Sequence, residues 1–387
     1  MNVGMSLSIK MIVSIGLLSM SVLNSGCSDS ADADVITTGA MCMPGDVLLN
    51  PTPEAPMAAC SVPPSPYSSL IEAGATAQAV ATETRRAELL DPSRITVVTC
   101  GTGSPFPSER AQSCLAVFVN GKFLLFDAGD RAQNSIENLN LPVMDIETVF
   151  LTHFHSDHIA DLGEVVSRSW ILGRTQPIEI YGGPEVEQVV NGFNLVYAAD
   201  EIYRVEHHGE AVFPNPTAAT AVVIERPGPE GRVVYESDGV SVLAYSVDHS
   251  PIGTALGYRI EYAGKVVAIS GDTIDTPGLH ALAANADVFV SEVMNKGAVE
   301  DMECAFGRIP DSRLEKIFAD IRSYHIDLPE LAQLASDADV ATLVMTHLVP
   351  APLSPVQGDA FFSQPAAAIF GGTIVLAEDG TEVVIRL

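Results

Sequence analysis

The sequence predicts a layered α/β fold, and three observations carry that expectation. From Ile95 onward, short apolar runs that end in polar residues alternate with longer segments of helical character, the pattern of stacked sheets and helices. The chain is 47% hydrophobic and only 18% charged, a core-forming composition rather than a disordered acidic one. Its 387 residues would allow two to three domains at about 150 residues each, but the pattern changes abruptly only once, near Ile95. We therefore divide the chain into 1–27, 28–92 and a single folded domain over 93–387.

Residues 1–27 read as a signal peptide. Lys10 precedes the apolar stretch Met11 to Leu23, which is too short to span roughly 30 Å of hydrocarbon as a helix. Asn24-Ser25-Gly26-Cys27 follows and resembles a bacterial lipoprotein cleavage box ending in the lipidated Cys. The expectation is an exported protein, periplasmic or on the outer membrane, that touches membrane only through this lipid anchor. Residues 28–92 are rich in Ala, Pro, Ser and Thr and read as a tether or extension, within which Tyr67 to Leu90 has the pattern of one helix. Cys42 and Cys60 lie in this stretch and can pair in an oxidising compartment. Cys100 and Cys114 flank a Gly-rich loop and read as buried small hydrophobes.

The folded domain begins with ITVVTC, a buried-strand run, and the turn-forming loop GTGSPFPSER. CLAVFVN, Gly121 and KFLLFDAG then form a hairpin. The strand ETVFLT, a helix through Ile159–Trp170, the strand IEIYGG and a helix through Glu185–Ala199 follow. Later strands are SVLAYSVDH, ALGYRIEYAG, KVVAISGD, DVFVSEV, ATLVMTH, GTIVLAEDG and TEVVIRL.

Charge narrows the function classes. Twenty Lys and Arg against 49 Asp and Glu leave a formal charge of −29, and the longest basic run is Arg85-Arg86. Binding to a nucleic-acid backbone needs clustered basic side chains to replace condensed counterions, so no nucleic-acid partner is expected.

The informative segment is Thr152-His153-Phe154-His155-Ser156-Asp157-His158. His153 and His155 lie two apart just beyond a strand, so extended backbone points both imidazoles to one side. Asp157 and His158 follow where the chain turns into a helix. Four nitrogen and oxygen donors in six residues suit a borderline divalent ion such as Zn²⁺, whereas hard-ion loops use carboxylates throughout.

This H-x-H-x-D-H segment resembles the signature of the metallo-β-lactamase superfamily. The rest of that pattern is present: His249 in SVDHSPIG, Asp272 in Ser270-Gly271-Asp272-Thr273, and His347 closing ATLVMTH. The resemblance covers about residues 93–387 and implies an αββα sandwich. It implies two zinc ions per chain, one held by His153, His155 and His249, the other by Asp157, His158 and His347, with Asp272 bridging. Two cations a few Å apart would depress the pKa of a shared water and neutralise charge on substrate and departing oxygen.

Within the superfamily, GTGSPFP, HFHSDH, GYRI, SGDT and THLVP resemble the group containing ribonuclease Z and the related arylsulfatases. The stretch from Asp161 through Arg168 to Gly173, then Tyr203-Arg204 and His207-His208-Gly209-Glu210, looks most like the arylsulfatase type. His325 sits where that group has a His assisting the leaving group, although Ile326-Asp327 replaces the usual Ser-Thr. The resemblance thus gives His325 and Asp157 catalytic roles. Glu292 is a candidate to orient a ligand, and His207 or His208 a candidate to line the substrate site. His280 reads as an ordinary helix residue, and GTGSP as a tight turn beneath the metals.

The leading expectation is hydrolysis of a small anionic ester, an aryl sulfate first, by metal-bound hydroxide. The alternatives are a phosphodiesterase or ribonuclease Z-like nuclease, a lactonase or other acyl hydrolase, and a metal-binding lipoprotein without turnover. A homodimer is left open.

Overall fold

The computed structural model describes residues 67–214 and 218–387. The signal segment, its lipidation box and the Cys42–Cys60 pairing lie outside the described residues.

Seven strands form the first sheet: β1 (Arg94–Gly101), β2 (Cys114–Val119), β3 (Lys122–Phe126), β4 (Ile146–Phe150), β5 (Glu179–Gly182), β6 (Thr220–Val223) and, last in the chain, β14 (Thr381–Arg386). The second contains β7 (Arg232–Ser237), β8 (Val240–Val247), β9 (Ala255–Tyr262), β10 (Lys265–Ile269), β11 (Val288–Met294), β12 (Thr342–Val349) and β13 (Thr373–Leu376). The orders are β14-β1-β2-β3-β4-β5-β6 and β13-β12-β11-β10-β9-β8-β7. Each sheet is mixed: β3 to β6 and β10 to β13 run parallel, while the remaining pairs are antiparallel.

Period-two alternation decides which face each side chain takes. In β2 and β3, Val117, Val119, Leu124 and Phe126 turn inward and meet Val242, Leu256, Tyr258, Ile260 and Val267 of the other sheet. Their neighbours Ala116, Phe118, Phe123 and Leu125 turn outward. That outer face is covered by α2 (Ala132–Asn138), α4 (Leu162–Ile171) and α5 (Val186–His208), which follow α1 (Ser68–Leu89) and the single turn α3 (Ser156–Ile159). On the far side α6 (Pro277–Ala283) and α9 (Leu328–Asp337) bury Leu279, Leu282, Leu328 and Leu331 against the second sheet. The layers are helix, sheet, sheet, helix, as the αββα expectation requires. Phe126, Phe150 and Tyr258 pack ring to ring between the sheets, with centroids 5.0–5.5 Å apart. Truncating Phe150 to Ala should cost about 3–5 kcal/mol.

Three details differ from the sequence reading. Cys100 and Cys114 are not free small hydrophobes but a disulfide, with Cα atoms 4.9 Å apart. The antiparallel β1–β2 register, shifted between Thr99 and Gly101, brings them side by side. The expected helix Ile159–Trp170 is broken at Ala160-Asp161, and the helix from Glu185 runs on to His208 rather than stopping at Ala199. The helix read at Tyr67–Leu90 forms as α1 and is anchored to the sandwich by Arg86, whose Nε and Nη2 donate to Asp145 at 2.5 and 2.9 Å.

Candidate metal centre

All seven expected ligands lie where strands end on one edge of the sandwich. β4 delivers the loop carrying His153 and His155, and α3 carries Asp157 and His158. β8 leads into His249 and β10 into Asp272, while His347 belongs to β12. Close backbone approaches make this possible. A Cβ on Gly129 would lie 2.0 Å from the Asp157 carbonyl oxygen, and Gly271, at φ +61°, leaves none of the space a side chain before Asp272 would need. His347 itself has φ +43° and is the extra residue in a β-bulge: Glu292 pairs with Thr346 and Val293 with Leu348. A bulge re-aims a side chain out of the ladder, here into the site.

The side chains converge on the Asp272 carboxylate. Its Oδ2 lies 3.4 Å from His158 Nε2, 3.5 Å from His347 Nε2, 3.9 Å from His249 Nε2 and 4.0 Å from His153 Nε2. On one side of it, His155 Nδ1 is 2.9 Å from His153 Nε2 and 3.3 Å from His249 Nε2. On the other, Asp157 Oδ2 is 3.1 Å from His347 Nε2 and 3.7 Å from His158 Nε2. Donor atoms bound at ~2.1 Å in a tetrahedron sit roughly 3.4 Å apart, the middle of this range. His158 Nε2 is buried without a protein hydrogen-bond partner, and one trio is three imidazoles and the other two imidazoles with a carboxylate, donor sets of the kind that hold zinc. The residues fit two ions sharing Asp272.

Outer contacts set the ring orientations. Asp127 Oδ2 accepts from His158 Nδ1 at 2.7 Å and from the Thr152 hydroxyl at 2.8 Å, and its Oδ1 accepts the Thr152 N–H. The Tyr324 carbonyl accepts from His249 Nδ1 at 2.8 Å. Both rings are thereby fixed with Nε2 turned to the centre. Burial pushes His153 well below the usual imidazole range and His249 down to about 4. Burial also opposes charge on His158 and His347, but Asp272 with Asp127 or Asp157 outweighs it. His158 rises well above its ordinary value and His347 to about 9.

The centre opens into a cleft of about 250 Å³ lined by Phe106, His155, His249, Asp272, His325 and their neighbours. With this geometry in view, the comparisons are specific. Ribonuclease Z of Mycobacterium marinum is 32% identical over 289 residues, 74% of this chain and 96% of its own length. Residues 95–297, just over half of the chain, match the family described as anti-Pycsar protein Apyc1. The chain belongs to the Apyc1 family and to the ribonuclease Z branch of the metallo-β-lactamase superfamily. Solved structures agree on the fold. The metallo-beta-lactamase fold protein YhfI of Bacillus subtilis has a TM-score of 0.55 at 17% identity, covering 76% of this chain and 100% of its own. The short form of human tRNase Z has 0.50 at 19%, with the same coverage. The chain is thus a metallohydrolase of the ribonuclease Z branch.

In this metallohydrolase His325 lines the cleft, and its Nδ1 lies 2.7 Å from Glu292 Oε2, while Glu292 Oε1 accepts the Thr273 N–H at 2.9 Å. Burial pushes His325 down to about 4; burial and the Asp272 charge push Glu292 well up. His207 and His208 are exposed on the last turn of α5, outside the cleft lining, and His280 is an exposed α6 residue bonded to Asp275. Gly101 lines a small cavity that also touches Asp127, His158 and Asp272, and Pro105 lines the cleft, so the GTGSP turn borders the centre. The sequence reading passed over Asp127. Its signal was an acid closing the buried run KFLLF, the same cue that marked the ligands.

Proposed function

We propose that the protein is an exported two-zinc hydrolase of small phosphodiesters. The arrangement of two donor trios sharing Asp272 and opening beside His325 carries this reading. Ions bound there would supply a water of lowered pKa and positive charge for the oxygens of a tetrahedral anion. Asp127 and the Tyr324 carbonyl keep His158 and His249 aimed at the centre. His325, held by Glu292, stands at the cleft wall where a proton can be kept beside the departing oxygen.

The aryl sulfate placed first by the sequence shares this chemistry, since it too is a tetrahedral anionic ester. The ribonuclease Z relatives move the phosphodiester ahead of it. A long polyanion is disfavoured by the −29 charge and by a cleft lining that includes neither Lys nor Arg. The Cys100–Cys114 disulfide, together with the N-terminal signal pattern, supports export. Among the described residues no helix is long and apolar enough to cross a membrane.

Purified protein with measured zinc content should be assayed side by side on a bis-aryl phosphate, an aryl sulfate and a lactone. The phosphodiester should be turned over fastest. Sulfatase activity beside an inert phosphodiester would overturn the reading, and full zinc loading with no turnover anywhere would leave a binding protein. Cell fractionation should find the chain outside the cytoplasm.

A further inference from the structure

Residues 296–321 form a helical hairpin, α7 (Lys296–Phe306) and α8 (Arg313–Ile321), with a small core of its own. Val299, Phe318 and Ile321 are buried there with Met294 and Val349, and Phe306, Leu314 and Tyr324 pack against them. Arg322 ties the end of α8 to α7 through Glu300 at 3.2 Å and Glu303 at 2.6 Å. The GTGSPFP turn reaches across to this hairpin: Phe106 stacks on Phe318 with ring centroids 4.8 Å apart.

The hairpin and Phe106 also form one side of the metal cleft. Phe106, Ile317, Ile321, Tyr324 and Val349 line it together with the ligands His155, His249 and Asp272. Tyr324 sets its ring edge-on to His249 at 5.0 Å, so this apolar wall begins directly beside the metal position. Ile317 is 41% exposed, although most apolar residues of an amphipathic helix face a core. The cleft is smaller than the several hundred Å³ of drug-sized sites. Its volume suits one small ring.

Resting on the phosphodiester reading, we propose that this wall selects substrates whose ester oxygen carries a flat, uncharged aromatic group. The anionic centre lies among the donors while the ring lies against Phe106, Ile317 and Tyr324. His325 follows Tyr324 in the chain and lines the same cleft, so the ring is that of the departing group. Apolar contact with such a wall discriminates substrates by roughly tenfold or more.

The test uses the zinc-loaded full chain and two probes with the same dianion, phenylphosphonate and methylphosphonate, titrated calorimetrically. The wild type should bind the phenyl compound about tenfold more tightly. Ile317→Gln, a partly exposed position, and Phe106→Leu should each shrink that preference at least threefold (about the value of one lost apolar contact) while leaving methylphosphonate affinity unchanged. A wild type that binds both equally, or neither, overturns the proposal, as does a preference that survives both substitutions. Bis-aryl phosphate turnover is scored separately. A phenyl preference without phosphodiester turnover removes the activity reading and keeps the wall; turnover without the preference removes the wall alone.

Discussion

The two halves of the centre share a bridging carboxylate but differ in what surrounds them. His155 and His249 line the cleft and His155 is exposed, while His153 is buried behind them. Asp157, His158 and His347 are all buried, Asp157 and His347 at the cleft wall and His158 braced by Asp127. Their electrostatics diverge in the same sense. Burial lowers His153 and His249, whereas surrounding carboxylates raise His158 and His347 in spite of it. The half with the exposed His155 is the more open position; the half whose three ligands are all buried, here called closed, must release protons to take an ion.

The sharpest way to break this division is Asp272→Asn, which removes the charge both halves share. It should empty both positions by metal analysis and lower kcat/KM by at least about 10³-fold. Retention of two ions would show that the halves do not depend on Asp272. His155→Ala should act on the open half alone: about one ion per chain retained and turnover reduced by on the order of 10²-fold or more. Full activity in that variant would refute the ligand assignment. The closed half should show a pH dependence that the open half lacks. His347 is raised to about 9 and His158 well above its ordinary value, so affinity for the more buried ion should rise at least about tenfold per pH unit from neutrality toward pH 9. His249, down at about 4, imposes no such slope above its ordinary range. Stepwise zinc titrations at several pH values would expose equal slopes if the halves were alike. Asp127→Asn should weaken only the closed position, by about 10- to 100-fold in zinc affinity. The smallest effect on the centre should come from Cys100→Ala/Cys114→Ala. Opening the loop between them should cost about 3 kcal/mol of stability by denaturant unfolding and leave zinc content unchanged.

The ligands were legible in the sequence because each closes an apolar strand run, so spacing alone carried His153, His155, Asp157 and His158 to one place. What escaped it depends on register. Nothing in the chain order shows that Cys100 and Cys114 meet across β1 and β2, or that Asp127 at the end of β3 abuts His158. The hairpin over 296–321 went unread for a different reason. Leu314, Ile317, Phe318 and Ile321 carry the i, i+3, i+4, i+7 spacing of a helix, but that pattern records amphipathicity without saying that part of the apolar face borders a cleft.

The bulge at His347 has a genetic consequence. Deleting that one codon would place Thr346 beside Leu348 and restore a regular β11–β12 ladder, so the strand would heal while the ligand vanished. A homologous gene could therefore lose its chemistry in a single in-frame event and still encode a stable sandwich. In an alignment of such a gene, the lesion would look like a trivial gap in a strand.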